Sequence, residues 1–158
     1  MKHLVMSVCY PLTETEILLG FKLVRLGAGL WNGFGGRREN RESLYHLAAR
    51  ELLEESGLTA LTLARCGIIR VTHEHMPQTV IELHFFLCGS FAGTPEETVE
   101  MYPQWFPRTA LPFEKMWPID QHLLPLFLSG TRIIGEAQYS EDRELLRFNF
   151  STVRQLPP

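Results

Sequence analysis

The sequence predicts one α/β domain with a mixed sheet. Its length of 158 residues suits one core that buries roughly 70% of the surface of the unfolded chain. Apolar runs with the period of β-strands stand before and after a segment with the period of a helix, as in α/β domains. The chain has no repeat, low-complexity tract or long linker, so we interpret residues 1–158 as a single domain.

The predicted strands are runs of β-branched and other apolar residues bounded by turn-forming residues. In chain order they run from His3 to Tyr10, Glu16 to Lys22, Ala64 to Thr72, Thr79 to Cys88, Gln104 to Arg108, Arg132 to Gln138 and Leu145 to Phe150. The first run follows a single lysine and stops at Tyr10-Pro11, before the core of a signal peptide could form. We therefore interpret it as a strand of the domain.

Two helices are predicted between these strands. The first runs from about Leu44 to Ser56, with Ser43 as N-cap and Gly57 as the C-terminal stop. The second begins near Asp120, with Pro125 in its first turns. Its apolar positions are Leu123, Leu124, Phe127 and Leu128.

Composition narrows the classes of function. The net charge of -3 and the pI near 6.1 argue against binding to polymeric nucleic acid, which usually requires a basic face. No apolar run approaches the ~20 residues of a membrane span, so no membrane partner is expected. The three cysteines, Cys9, Cys66 and Cys88, are odd in number and lie in apolar segments. Both features are expected for reduced thiols in the core of a cytoplasmic protein.

The first helix carries carboxylates on its apolar side. At about 100° per residue, Glu51, Glu54 and Glu55 prolong the stripe formed by the helix's buried residues instead of lying opposite it. Neighbouring like charges destabilise a helix, so this cluster requires a compensating cation. Mg²⁺ is the expected cofactor and Mn²⁺ the alternative, since both prefer oxygen ligands. Arg50 could pair with Glu54 or brace another carboxylate, or form only a surface salt bridge.

A glycine-rich stretch stands directly before this helix. It reads Trp31-Asn32-Gly33-Phe34-Gly35-Gly36-Arg37-Arg38. Its glycines permit main chain to approach a phosphate group or a metal ion closely. Such a stretch alone is weak evidence, but beside the carboxylates it predicts half of a site.

The two segments together match the pattern G-x5-E-x7-R-E-U-x-E-E-x-G-U, where U is a bulky aliphatic residue. The matching positions are Gly36, Glu42, Arg50, Glu51, Leu52, Glu54, Glu55, Gly57 and Leu58. The fixed letters would coincide by chance on the order of once in 10⁸ to 10⁹ start positions. By this pattern the chain is identified as a member of the Nudix hydrolase family.

The resemblance implies a fold and a set of roles. The fold is a Nudix α/β/α sandwich with a mixed sheet. Metal ligands would be the carboxylates of Glu51, Glu54 and Glu55 and the carbonyl of Gly36. Arg50 would belong to the catalytic residues mainly by ordering the loop and helix, together with Glu42.

Further segments look like the MutT-homologue branch, which hydrolyses oxidised purine nucleoside triphosphates such as 8-oxo-dGTP. They include Leu18 to Lys22, Gly27 to Gly36, Gly93-Thr94-Pro95, Trp105-Phe106 and Pro112 to Pro118. In that branch the base is bound by the residues that match Asn32, Trp117 and Asp120, in a pocket lined by those that match Ser7, Lys22 and Leu26. The match to Glu100 lies near the metals, as a ligand or base. Substrate contacts are also expected from Ile119 and, for the phosphates, from Phe34, Gly35, Gly36 and Arg37.

Several of these residues have structural alternatives. Trp117 could be a core aromatic residue, Asp120 an N-cap, Asn32 a turn residue and Glu100 a surface charge. The segment from His73 to His75 is assigned no role. This chain also departs from the branch, which has two adjacent aspartates where Ile119-Asp120 stands and an aromatic residue in place of Leu26.

The sequence therefore predicts a magnesium-dependent, monomeric, cytoplasmic enzyme with a small-molecule nucleotide substrate. It would release a nucleoside monophosphate and pyrophosphate from an oxidised purine nucleoside triphosphate. One alternative is a Nudix hydrolase for ADP-ribose or a dinucleoside polyphosphate. Another is a non-catalytic Nudix module that senses a nucleotide.

Overall fold

Two sheets and two helices build the fold in the computed structural model, which describes residues 1–158. The strands are β1 (Lys2–Pro11), β2 (Glu16–Lys22), β3 (Trp31–Asn32), β4 (Thr59–His73), β5 (Met76–Ala92), β6 (Met101–Pro107), β7 (Arg132–Tyr139) and β8 (Leu145–Val153). The helices are α1 (Leu44–Ser56) and α2 (Asp120–Leu128), and a 3₁₀ turn at Phe113–Lys115 precedes α2.

The larger sheet is mixed and has the strand order β1-β5-β4-β7-β8. β1 lies parallel to β5 and β4 parallel to β7, whereas β4–β5 and β7–β8 are antiparallel pairs. The smaller sheet has the order β3-β2-β6 and is antiparallel throughout. The predicted α/β class with a mixed sheet is confirmed.

The two helices cover opposite faces of the larger sheet. Adjacent residues of a strand point to opposite faces, and Phe85 and Phe86 of β5 show which helix lies on each. Phe85 packs against Phe127 of α2, with ring centroids 5.3 Å apart. Phe86 lies in a separate apolar cluster with Ala48 and Leu52 of α1. The α/β/α sandwich implied by the family resemblance is therefore confirmed.

Both ends of α1 lie where the sequence predicts them. The Ser43 hydroxyl accepts a hydrogen bond from the His46 backbone N–H at 3.1 Å. Gly57 adopts a left-handed conformation with φ of 80°, and its N–H donates to the Leu53 carbonyl. These local caps fix which residues face the sheet, and so where the helix presents its glutamates.

Some boundaries differ from the prediction. β4 and β5 extend further than expected, because register shifts in their pairing between Ala60 and Gly67 interrupt the alternation of buried and exposed residues. The short β3 went unpredicted because it lies in the glycine-rich stretch. Pro125 lies in the second turn of α2. Neither helix is long and apolar enough to cross a membrane.

The N-cap alternative for Asp120 is wrong. α2 is preceded by Ile119 at the cap position, and no side chain caps this helix end. Asp120 is instead the first helical residue, and its carboxylate points into the interior, where it is 4% exposed.

Candidate active site

The glycine loop, residues 33–36, passes between β1 and α1 at close range. The Ser7 N–H donates to the Gly36 carbonyl at 3.0 Å, so the loop is bound to β1 through backbone atoms. A Cβ atom on Gly35 would collide with the Ser7 carbonyl, and one on Gly36 would lie 2.5 Å from the carboxyl carbon of Glu51. Close approach to backbone therefore requires glycine at position 35, whereas a side chain at position 36 would force the Glu51 carboxylate to shift.

Glu55 connects α1 with this loop and with β2. Its carboxylate accepts a hydrogen bond from the Gly35 N–H at 2.7 Å and lies 3.4 Å from the Lys22 ammonium group. Only 2% of Glu55 is exposed. Burial raises the pKa of the Glu55 carboxyl to about 7, although the Lys22 charge and the Gly35 N–H both act to lower it. A further cation nearby would favour the ionised form.

Arg50 braces the loop against the helix. Its guanidinium pairs with both carboxylate oxygens of Glu42, at 3.0 and 2.6 Å, and donates to the Arg37 carbonyl at 3.2 Å. It also donates to Glu51 at 2.8 Å and to Glu54 at 3.2 Å. The hydrogen bonds from Arg50 lower the pKa of Glu42 to about 2. This geometry supports an ordering role for Arg50 and Glu42, because the guanidinium is fully engaged with protein groups.

Glu100 brings a further carboxylate to the same place. It lies 3.5 Å from Lys22 and 3.4 Å from Arg25. Burial, together with the neighbouring negative charges of Glu54 and Glu100, raises the pKa of Glu51 even though Arg50 opposes the shift. Negative charge is thus concentrated at this end of α1 and is only partly compensated.

The donor chemistry of this end fits a divalent cation. Glu51, Glu54, Glu55 and Glu100 supply hard carboxylate oxygens, and Gly36 lies directly against Glu51. No three acidic or histidine side chains converge in the geometry of a metal site, because these carboxylates are turned toward Arg50, Lys22 and Arg25. These residues therefore suit the cation in type and location. Neighbouring arginine and lysine side chains compensate their negative charges.

A cleft of about 820 Å³, including its open mouth, leads away from Lys22 into the molecule. Its lining is mostly apolar and includes a few polar groups, among them Lys22, Asn32 and Asp120. The predicted site residues found on its wall are Ser7, Lys22, Leu26, Asn32, Gly35, Trp117, Ile119 and Asp120.

The remaining predicted substrate contacts lie outside this cleft. Gly36 sits beside Glu51, and the Arg37 side chain is exposed, with its carbonyl bonded to Arg50. The expectation for Phe34 needs correction. Its ring is fully buried between the larger sheet and α1, and its N–H donates to the Cys9 carbonyl at 2.8 Å, so neither can contact a ligand.

Asp120 lies at the buried end of the cleft. The Tyr10 hydroxyl donates to its carboxyl oxygen at 3.3 Å. Burial raises the pKa of Asp120 to about 7, although the hydrogen bond from Tyr10 acts to lower it. Near neutral pH this carboxyl can therefore act as a hydrogen-bond donor or as an acceptor.

The cleft also contains polar and aromatic residues that sequence reasoning did not assign to it. His73 stacks on Tyr139, with ring centroids 5.3 Å apart, and its centroid lies 5.7 Å from that of Trp117 in an edge-to-face arrangement. His73 is 5% exposed, its Nδ1 has no hydrogen-bond partner, and burial lowers its pKa to about 4. The sequence did offer a signal that His73 could belong to a site, because this residue directly follows a predicted strand. No local pattern could have indicated that Tyr139 and Tyr10 would join it.

Comparison with known proteins gives a consistent result. The family model of the NUDIX domain matches residues 1–127 of this chain. The chain is 37% identical over 142 residues to the oxidized purine nucleoside triphosphate hydrolase of Mus musculus, covering 90% of both chains. It is 38% identical over 142 residues to the protein of the same name from Danio rerio, covering 89% of this chain and 90% of the other.

Solved structures resemble this fold as well. A MutT protein from Bacillus halodurans superposes with a TM-score of 0.84 at 24% identity, covering 94% of this chain and 97% of that one. The E. coli ORF135 protein superposes with a TM-score of 0.66 at 26% identity, covering 82% and 91%. These likenesses agree with the α/β/α arrangement described above.

Burial of Asp120 predicts a pH-dependent stability. A carboxyl whose pKa rises from 3.8 to about 7 on folding stabilises the fold below pH 3.8, and that contribution is lost as the pH rises through 7. From pH 5 to pH 8 the parent should lose this contribution and Asp120→Asn should not. The unfolding free energy of the variant, relative to that of the parent, should therefore be about 2 to 3 kcal/mol higher at pH 8 than at pH 5. Urea denaturation at both pH values measures this difference.

The matched control is Asp142→Asn, because Asp142 is an exposed residue in the β7–β8 turn. Its difference from the parent should be the same at pH 5 and pH 8. An Asp120→Asn protein that behaves like this control would show that the Asp120 carboxyl is not neutral in the folded state.

Proposed function

Because the chain belongs to the Nudix family, we propose that it is a nucleoside triphosphate pyrophosphohydrolase acting on oxidised purine nucleotides. One observation carries the proposal. The buried Glu55 contacts Lys22 and Gly35, and these two residues line a cleft whose wall also carries Asn32, Trp117 and Asp120. The carboxylates therefore adjoin a mostly apolar cleft, and we assign the phosphates to its part near Lys22 and the base to its part near Asn32, Trp117 and Asp120.

The phosphate end works through charge. Lys22 lines the cleft and can neutralise a phosphate oxygen, while Glu51, Glu54, Glu55 and Glu100 provide ligands for a divalent cation. When bound, that cation, Mg²⁺ in our proposal with Mn²⁺ as the alternative, polarises the phosphate and lowers the pKa of an attacking water. Arg50 holds the helix and the Arg37 segment in register, so that the carboxylates keep their positions.

The base end works through shape and hydrogen bonding. Trp117 offers an aromatic wall, and aromatic faces stack well on purines. The Asn32 side-chain amide donates to the Leu30 carbonyl at 2.9 Å, which fixes its orientation and leaves its oxygen available. Asp120 supplies a carboxyl able to donate a hydrogen bond when protonated. Together these groups can distinguish a purine edge that carries an extra oxygen.

Support for the substrate class comes from the two vertebrate relatives named oxidized purine nucleoside triphosphate hydrolase, which match about nine-tenths of the chain. We further propose that residues 1–158 act as a single domain and as a monomer. The cysteines Cys9, Cys66 and Cys88 are buried and unbridged, which supports a reducing compartment and hence our proposal of a cytoplasmic enzyme. The proposed role is removal of damaged purine nucleotides from the precursor pool.

Glu55→Gln should abolish most hydrolysis while preserving the fold. Glutamine keeps the shape of the side chain and can still accept from Gly35, but it lacks the charge that attracts a cation. We expect kcat to fall by a factor on the order of 10³ at saturating Mg²⁺. Glu97→Gln, at an exposed position, is the control and should stay within twofold of the parent. Turnover of Glu55→Gln within tenfold of the parent would contradict the assigned role.

The bond that is cleaved provides a separate test. A deoxynucleoside triphosphate should yield the monophosphate and pyrophosphate, because the family motif is complete at every position. Anion-exchange chromatography of the products distinguishes this outcome from release of orthophosphate. Detection of the nucleoside diphosphate as the main product would eliminate the pyrophosphohydrolase assignment.

Selectivity at the base should depend on Asp120. Ile119 is apolar and 3% exposed, so a single carboxyl is available to read the purine edge. We expect the parent enzyme to prefer 8-oxo-dGTP over 2-hydroxy-dATP by roughly 10- to 100-fold in kcat/KM, since one unmatched buried polar group costs about 1 to 3 kcal/mol. The measurement compares these substrates and dGTP in the parent, Asp120→Asn and Ile119→Asp proteins. Equal rates in the parent, or unchanged selectivity in Asp120→Asn, would refute this role.

A further inference from the structure

Arg143 contacts the mouth of the cleft from outside the family motif. It lies in the turn between β7 and β8 and adopts a left-handed backbone conformation, with φ of 65°, which is uncommon for a residue other than glycine. Its guanidinium carbon lies 5.6 Å from the centroid of the Trp117 ring, within the range of a cation–π interaction. Its Nη1 donates to the Ala28 carbonyl at 3.1 Å.

Ala28 belongs to the loop that connects β2 with β3, and this loop packs against the base end of the cleft. Its neighbour Gly27 has φ of 88°, and a Cβ atom there would lie 3.3 Å from Trp117 Nε1 and 3.5 Å from Asn32 Oδ1. Leu26, which precedes it, lines the cleft. A displacement of this loop would therefore alter the surroundings of both Trp117 and Asn32.

Trp117 is enclosed by aromatic rings on the side of the larger sheet. Tyr139 and His73 lie 5.0 and 5.7 Å from it, centroid to centroid. Tyr139 is the last residue of β7, immediately before the turn that carries Arg143. Trp117 lies between the 3₁₀ turn and α2, and the Arg143 guanidinium adds a further contact to its ring. The guanidinium also joins the β7–β8 hairpin of the larger sheet to the β2–β3 loop of the smaller one.

We propose that Arg143 is a positioning residue, which holds Trp117 and the β2–β3 loop in the conformation that binds the purine base. This inference rests on the proposed function, because it assigns the base to the Trp117 end of the cleft. Arg143 contributes by preorganisation: both of its contacts are formed before the ligand arrives, so less order has to be gained on binding. The carboxylates near Lys22 do not contact it, so the chemical step should be little affected.

The test is steady-state kinetics of Arg143→Ala on the preferred purine nucleoside triphosphate. Loss of one hydrogen bond and one cation–π contact should raise KM about tenfold and leave kcat within about threefold. Arg143→Lys keeps a cationic donor without the planar guanidinium and should recover part of the loss. Arg147→Ala is the matched control, because Arg147 lies on β8 in a shallow groove away from the cleft.

A second measurement reports on the contact without turnover. With 5-fluorotryptophan in place of Trp31, Trp105 and Trp117, and the Trp117 ¹⁹F resonance assigned through Trp117→Phe, Arg143→Ala should shift that resonance and leave the resonance of Trp105, on β6, in place. Arg147→Ala should move none.

The two measurements separate failure of this inference from failure of the proposed function. Unchanged KM together with an unshifted Trp117 resonance would overturn the role of Arg143. So would an equal loss in Arg147→Ala, or a fall in kcat with KM constant. Absence of hydrolysis of any nucleotide by the parent protein would overturn the proposed function, and the ¹⁹F shift would still decide whether Arg143 positions Trp117.

Discussion

The close approach of the glycine loop to β1 and α1 is the constraint on which the site depends. Because Gly35 and Gly36 have no side chains, the loop can bond to Ser7 and still bring the Gly35 N–H to Glu55. That contact, with Lys22, keeps a carboxylate inside the protein where burial alone would neutralise it. A larger side chain at Gly35 would collide with the Ser7 backbone, displace the loop from β1 and disturb the hydrogen bond that the Gly35 N–H donates to Glu55.

The phosphate end and the base end of the site differ in electrostatics: the first contains charged groups, and the second contains buried groups that burial tends to neutralise. At the end of α1, Arg50, Lys22 and Arg25 partly compensate a group of carboxylates, and the remaining negative charge favours binding of a divalent cation. At the other end, burial keeps His73 uncharged and raises the pKa of Asp120. A ligand with a charged phosphate chain and a neutral heterocycle matches this division, which supports the proposed substrate class.

The fold could be predicted best where its determinants are local. α1 was predicted from about Leu44 to Ser56, with Ser43 and Gly57 as its caps, because caps and helical periodicity act over a few residues. Prediction was poorer where pairing between distant strands matters. The register shifts that interrupt the alternation along β4 depend on its pairing with β5, and β3 exists only because its residues pair with Gly20 and Phe21 of β2. Asp120 was ambiguous for the same reason, since its partner Tyr10 lies 110 residues away.

The sequence by itself determined the family motif and the set of carboxylates, because Glu51, Glu54 and Glu55 share one helix and their relation follows from its geometry. It also indicated most residues of the cleft wall through the resemblance to a known branch. Tertiary structure decided which of them face the cavity: Phe34 turns into the core between the sheet and α1, whereas Tyr10, Tyr139 and His73 enter the cleft. Side-chain direction at these positions depends on strand register and on contacts between distant elements, which no local pattern encodes.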